Sequence, residues 1–440
     1  MTLEFPQPAY MADEELTMFH DAVGKFLDQH APAERMDKWR EDGQVERAFW
    51  REAGAAGLLG VSVPEAYGGH GGDFRHDLVV VDQISRKGTE GFAASLHNVI
   101  VAPYIQLHGT EEQKQRWLPR MVTGDLVAAI AMSEPGAGSD LQAIRTTALK
   151  DGNGYRINGS KTFISNGQCC DFVIVAAKTD PDARGKGVSL ILVETDRAGF
   201  MRGRNLEKVG YKAQDTSELF FDDVSVPPEN LLGGQEGRGF YQMMEQLPQE
   251  RLSIGATAIG AIEGAVELAV AYAKEREAFG KPIGKFQHNR FVLAEMATEA
   301  YVARTFINDN LPGLLVPGAG NRLPSGAIIL DNIPGLRIDF VHRHTHGRPM
   351  ALMIKKLRNA RRAQRSGDPH QWADEMETRI DQRSITAMVA FFMCLVLAWF
   401  VFDLYRKQAE LEANIEAMLG PQPCDPTPGP SGELPPDGFC

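Results

Sequence analysis

AMSEPGAGSD (131–140) and GSKTFISNG (159–167) stand where the chain changes its period. In the first run Gly136 and Gly138 let the backbone come close to a ligand, and Ser139 offers a hydroxyl. The second run belongs to a series of short β-rich segments: YRINGSKTFISN, DFVIVAAKTD, GVSLILVETD and TSELFFDDVSV. Gly, Asn and Asp turns separate them. They predict a compact β-domain over 129–235. No long helical pattern alternates with the strands, so a doubly wound sheet is a poor fit. No GxGxxG follows a strand. GYRINGSKT (154–162) has Ser160 where a phosphate-binding loop needs lysine.

On either side of this block the period is helical. Residues 10–128 read as a helical N-terminal domain. Leu16, Phe19, Val23, Phe26 and Leu27 recur at helical spacing, and similar patterns run over 46–56, 97–108 and 111–124. VPEAYGGHGG (63–72) interrupts them as a glycine-rich loop. From Gly239 a long, alanine-rich apolar stripe returns and reads as a long packed helix, with Pro248 as the candidate point for a break, and a second helix is expected over 285–310. Residues 236–310 therefore read as part of a helical bundle, and the fold class is α+β.

The 440 residues carry 46 Lys/Arg against 58 Asp/Glu, a net charge of −12, which argues against a nucleic-acid partner. Five cysteines give neither a disulfide framework nor a metal spacing, and no other metal motif stands out. The acidic opening MTLEFPQPAYMADEEL lacks an apolar core, so no secretory signal is expected.

Taken with EREAFGKPIGKFQ (275–287), the two opening runs resemble the acyl-CoA dehydrogenase family over about residues 10–310. The resemblance implies a helical N-terminal domain, a middle β-domain that binds flavin, and a C-terminal helical bundle. It implies FAD as cofactor and α,β-dehydrogenation of an acyl-CoA thioester, with flavin N5 accepting the β-hydride. It further implies an electron-transferring flavoprotein or another acceptor as partner, and a homo-oligomer. Met132, Ser133, Gly138 and Ser139 match the loop beside the flavin and its pyrophosphate. Phe163 stands where many members stack a tryptophan on the ring, and Ser165 matches the hydroxyl on the N5 side. Arg276, Phe279 and Gln287 match residues that reach the FAD of a neighbouring subunit.

Removing an α-proton needs a carboxylate close to Cα. In most members it sits in a late loop after a GGxG segment, which this chain does not display. In long-chain and isovaleryl-type members it opens a bundle helix before an arginine, and LPQERL (247–252) matches that form. Glu250 is thus the candidate base, with Arg251 assisting CoA binding, while Glu245 and Glu263 match no base position.

After FINDN (306–310) the resemblance stops, where the family continues with two further bundle helices, so the bundle reads as incomplete. An atypical, basic linker (311–384) leads to ITAMVAFFMCLVLAWFVF (385–402) and a proline-rich tail (403–440). Those 18 uncharged residues are long enough for a transmembrane helix. With the basic block before them, they place the enzyme domain in the cytoplasm, anchored to the inner membrane. A second reading takes the chain as an inactive, truncated or frameshifted member that serves at most as a membrane-attached binding or scaffold protein.

Overall fold

The computed structural model describes residues 13–310 and, before them, Phe5, Pro8 and Met11. The linker, apolar run and tail of residues 311–440 lie outside the described residues.

Six helices come first: α1 (Glu14–His30), α2 (Ala33–Asp42), α3 (Arg47–Ala55), α4 (Phe74–Lys87), α5 (Ala102–His108) and α6 (Glu111–Val122). α1 buries Leu16, Val23 and Leu27 along one stripe, as their spacing predicts. Thr110 and Gln113 form a capping box that starts α6: each side chain satisfies the other's backbone N–H. The expected single helix over 97–108 is in fact two. A π-helical segment, Ser95–Val101, widens the ladder before α5 begins. Pro103 has no N–H to give to the carbonyl four residues back, at Val99. The Val99 carbonyl accepts from Gln249 Nε2 at 3.1 Å, across to another helix.

The strands follow: β1 (Ala128–Ala131), β2 (Thr147–Asp151), β3 (Gly154–Ser165), β4 (Phe172–Lys178), β5 (Val188–Glu194), β6 (Phe200–Asn205) and β7 (Thr216–Val226). They form one mixed sheet in the order β1-β4-β2-β3-β7-β6, with β5 antiparallel to β4. β4 is parallel to β1 and meets β2 only at Thr147 and Lys178. The unbroken apolar run of β4 has a simple cause. Phe172, Ile174 and Ala176 face the α5–α6 core, and Val173, Val175 and Ala177 face a second core on the other side. GYRINGSKT lies in extended β3, so its likeness to a phosphate loop ends there.

Helix α7 (Gly239–Glu275) follows, then a two-stranded hairpin of β8 (Glu277–Ala278) and β9 (Lys281–Pro282), then α8 (Gln287–Asn310). α7 does not break at Pro248. The carbonyl that loses its donor there is that of Met244, on an exposed turn where water can serve it. α7 packs close against α4: a Cβ on Gly264 would stand 2.1 Å from the Arg86 carbonyl oxygen. Leu252, Ala256 and Ile259 of α7 and Ile307 of α8 complete the core of the helical N-terminal domain. A buried ion network ties the three helices. Arg304 on α8 donates to both oxygens of Glu263 on α7 (2.8 and 2.7 Å) and to Asp82 Oδ1 on α4 (2.7 Å). Arg86 adds a bond to Glu263 from the rim of the network. Burial pushes the Asp82 carboxyl up, but His20, Arg304 and Arg86 outweigh it and hold its pKa down at about 2.

Candidate active site

The two runs that decided the sequence reading are joined by a buried ion pair. Lys161 Nζ lies 2.8 Å from Glu134 Oε1 and also donates to the Met132 carbonyl at 3.0 Å. The Glu134 carboxylate takes two more bonds, from the backbone N–H groups of Arg145 (2.6 Å) and Thr146 (3.0 Å). Burial lowers the Lys161 pKa to about 8 in spite of the pair. Burial pushes Glu134 up, yet Lys161 and the extra donors bring it below its ordinary value. The two shifts differ because Glu134 has backbone donors beyond the lysine. Thr162 N–H donates to the Ser133 carbonyl at 3.0 Å, so β3 runs directly beside the loop that leaves β1.

Glu134 and Ala137 exchange backbone hydrogen bonds (2.8 and 3.1 Å), which folds SEPGAGSD into a tight turn. A Cβ on Gly136 or Gly138 would meet nothing within 4 Å. These glycines face open space, and Ser139 is exposed beside them. Phe163 sits at an irregularity in the β3–β7 register with φ of 61°, a backbone conformation that costs a bulky residue ~1–2 kcal/mol. It stays 69% exposed, while Ile164 beside it is buried. Ser165, half-buried, ends the strand. Met132, Ser133, Gly138, Ser139, Phe163 and Ser165 thus belong to two segments held side by side. They offer an open cradle and an aromatic face, which fits a flavin and its pyrophosphate. Among the described residues no group of three His, Cys, Asp or Glu could hold a metal.

Glu250 sits within α7, well past its first turn, rather than at a helix start as the motif suggested. The helix dipole therefore plays no part in its ionisation. Its Oε1 accepts from the hydroxyl of Tyr104 on α5 at 2.9 Å, and Tyr104 itself is fully buried. Burial pushes the Glu250 carboxyl above its ordinary value, against the Tyr104 hydrogen bond and the charge of Arg251. Arg251 is exposed on the next position. Glu245 is exposed, and Glu263 is committed to the Arg304 network.

Arg276, Phe279 and Gln287 lie at the other end of α7. The Phe279–Gly280 turn of the hairpin has positive φ at both residues (53° and 71°), the geometry of a two-residue I′ turn. It projects Phe279 outward, 95% exposed, in edge contact with Phe286. Gln287 opens α8 and is exposed. Twenty-five helical residues lie between Glu250 and Arg276, a rise of ~39 Å over the intervening steps at ~1.5 Å each. Along α7, Arg276 and the hairpin that follows it therefore stand far from Glu250.

Three family models cover the described part in succession: acyl-CoA dehydrogenase N-terminal domain (13–125), middle domain (129–224) and C-terminal domain (237–311). The chain is 45% identical over 299 residues to the mitochondrial long-chain specific acyl-CoA dehydrogenase of Sus scrofa, covering 68% of this chain and 69% of that one. Among solved structures it is similar to an acyl-CoA dehydrogenase from Geobacillus kaustophilus (42% identity, TM-score 0.66, 78% of this chain and 97% of that one). It is also similar to a glutaryl-CoA dehydrogenase from Mycobacterium smegmatis in complex with FADH2 (25% identity, TM-score 0.68, 79% and 90%). The expected cytoplasmic, membrane-anchored location is corrected by these findings. The long-chain specific relatives from Sus scrofa, Mus musculus and Rattus norvegicus are mitochondrial enzymes by name. The expectation rested on residues 385–402, outside the described residues. Among the described residues, the one helix long and apolar enough to cross a membrane is α7, which packs into the protein's own core.

Proposed function

The chain belongs to the acyl-CoA dehydrogenase family, and from that premise we propose that Glu250 is the base of its reaction. The protein is an FAD-dependent acyl-CoA dehydrogenase. When bound, FAD supplies the oxidant that takes the β-hydrogen as a hydride. What remains for the protein is to hold the thioester, remove the α-proton and keep water away. In our reading Met132, Ser133, Gly138 and Ser139 hold the cofactor's phosphate side, Phe163 covers its ring and Ser165 bonds its edge. Arg251, exposed beside the base, binds the CoA portion. The observation that carries the base assignment is the environment of Glu250. It is half-buried, pushed above the ordinary carboxylate range by burial, and fixed by one hydrogen bond to Tyr104. A base raised toward neutrality is better matched to a weakly acidic C–H than an ordinary surface glutamate.

Arg276, Phe279 and Gln287 serve the cofactor of a second copy of the chain. The ~39 Å of helix between them and Glu250 supports this, as does an aromatic held almost wholly in solvent on a turn. Electrons leave to an electron-transferring flavoprotein or a similar acceptor. The test of the base is Glu250→Gln. The account expects an FAD-loaded, folded variant that loses thioester oxidation by at least ~10³-fold. Full turnover by that variant would reject the assignment.

A further inference from the structure

We propose that Tyr104 is a positioning residue for the base: its hydroxyl holds one oxygen of Glu250 and leaves the other to take the α-proton. The inference rests on the reading of Glu250 as the base. Tyr104 stands on α5, fully buried in the core between the N-terminal helices and the sheet, and its ring has no freedom to follow a moving carboxylate. Its hydroxyl donates to Glu250 Oε1 at 2.9 Å, across 146 residues of sequence. Further contacts fasten α7 to α5 and to the π segment before it. Gln249 Nε2 donates to the Val99 carbonyl at 3.1 Å. His108 Nε2 lies 3.3 Å from Gln246 Nε2 and 3.8 Å from Glu245 Oε2, one turn away. The helix that carries the base is thus held against α5 and the π segment before it by side-chain contacts from Gln246, Gln249 and Glu250.

The chemistry of the contact is specific. A carboxylate with Oε1 fixed by a donor presents Oε2 in one direction, and the proton from Cα goes to that oxygen. A phenol can donate to the charged form, so it favours ionised Glu250 and works against burial. Arg251 on α7 acts in the same direction. Tyr104 is not itself the proton carrier, because burial and the adjacent carboxylate push its own ionisation far above the usual phenol range.

The test is the pH dependence of kcat/KM for full-length, FAD-loaded enzyme with a long-chain acyl-CoA. Wild type is compared with Tyr104→Phe, which keeps the ring and removes the donor, and with Glu250→Gln. The proposal expects the acid limb of Tyr104→Phe to move to higher pH by roughly one unit, with kcat reduced several-fold and KM little changed. Replacing Tyr104 by 3-fluorotyrosine, a stronger donor of nearly the same shape, should move the limb to lower pH. It also keeps the question open to answer if the phenylalanine form fails to load FAD. An acid limb unmoved by both changes overturns the proposal, whatever happens to thermal stability. Full turnover by Glu250→Gln overturns the base assignment instead, so the two failures are told apart.

Discussion

Lys161→Met removes the cation that joins the two runs framing the proposed cofactor cradle. In the parent the Lys161 side chain is 0% exposed and that of Glu134 6%, so the variant leaves a buried carboxylate facing a thioether. Breaking a buried pair from one side costs ~3–5 kcal/mol. Here Glu134 keeps the N–H donors of Arg145 and Thr146 at 2.6 and 3.0 Å, which brings the expected loss to ~2–4 kcal/mol. The Met132 carbonyl also loses its ammonium donor, so the turn carrying Gly136 and Gly138 loses an anchor. The assay is a urea titration of full-length protein followed by tryptophan fluorescence, with retained flavin measured on the same samples. Lys161→Met should shift the midpoint down and release flavin. The double variant Lys161→Met with Glu134→Gln should recover part of the loss, since a neutral amide no longer needs the cation. A single variant within ~1 kcal/mol of the parent would refute this reasoning, as would a double variant no better than the single.

Asp77 is buried in α4, and burial raises its carboxyl to about 7. Folded protein therefore keeps a proton there that the unfolded chain releases near ~4, so stability falls as pH rises from about 4 to about 7, by up to ~4 kcal/mol from this group. Asp77→Asn should flatten that slope in urea midpoints compared at about pH 5 and about pH 8; an unchanged slope would assign it elsewhere. Two glycine substitutions should separate fold from cofactor. Gly264→Ala puts a Cβ 2.1 Å from backbone that cannot yield and should cost ~1–3 kcal/mol in the same titration. Gly136→Ala meets nothing within 4 Å, so it should leave the midpoint alone while weakening flavin retention.

Much of this was legible in the sequence because it depends on local pattern. The stripe of α1 and the turn-separated strands follow from the helical period of about 3.6 and from the β-rich runs between Gly, Asn and Asp turns. The proposed cradle residues come from short motifs, and the structure places them on adjoining segments. What sequence could not supply were partnerships across distance. Nothing in the spacing of Tyr104 and Glu250 predicts their hydrogen bond, because it depends on how α5 docks on α7. Lys161 and Glu134 both lay within the motifs, yet reading each run by itself hid that they pair. Arg304 gave no signal on α8, where a lone arginine looks like a surface charge; its burial requires Asp82 and Glu263 from two other helices. Pro248 was the candidate break in the long helix, but an exposed turn tolerates the lost hydrogen bond and α7 runs on. The location was misread because one apolar run was allowed to decide it.

The most direct test of the account is the visible spectrum of purified full-length protein before and after anaerobic addition of a long-chain acyl-CoA. The account predicts an oxidised flavin band that bleaches in the parent and persists in Glu250→Gln carrying the same amount of FAD. A bound flavin that does not bleach in the parent, or that bleaches equally fast in the variant, would contradict it.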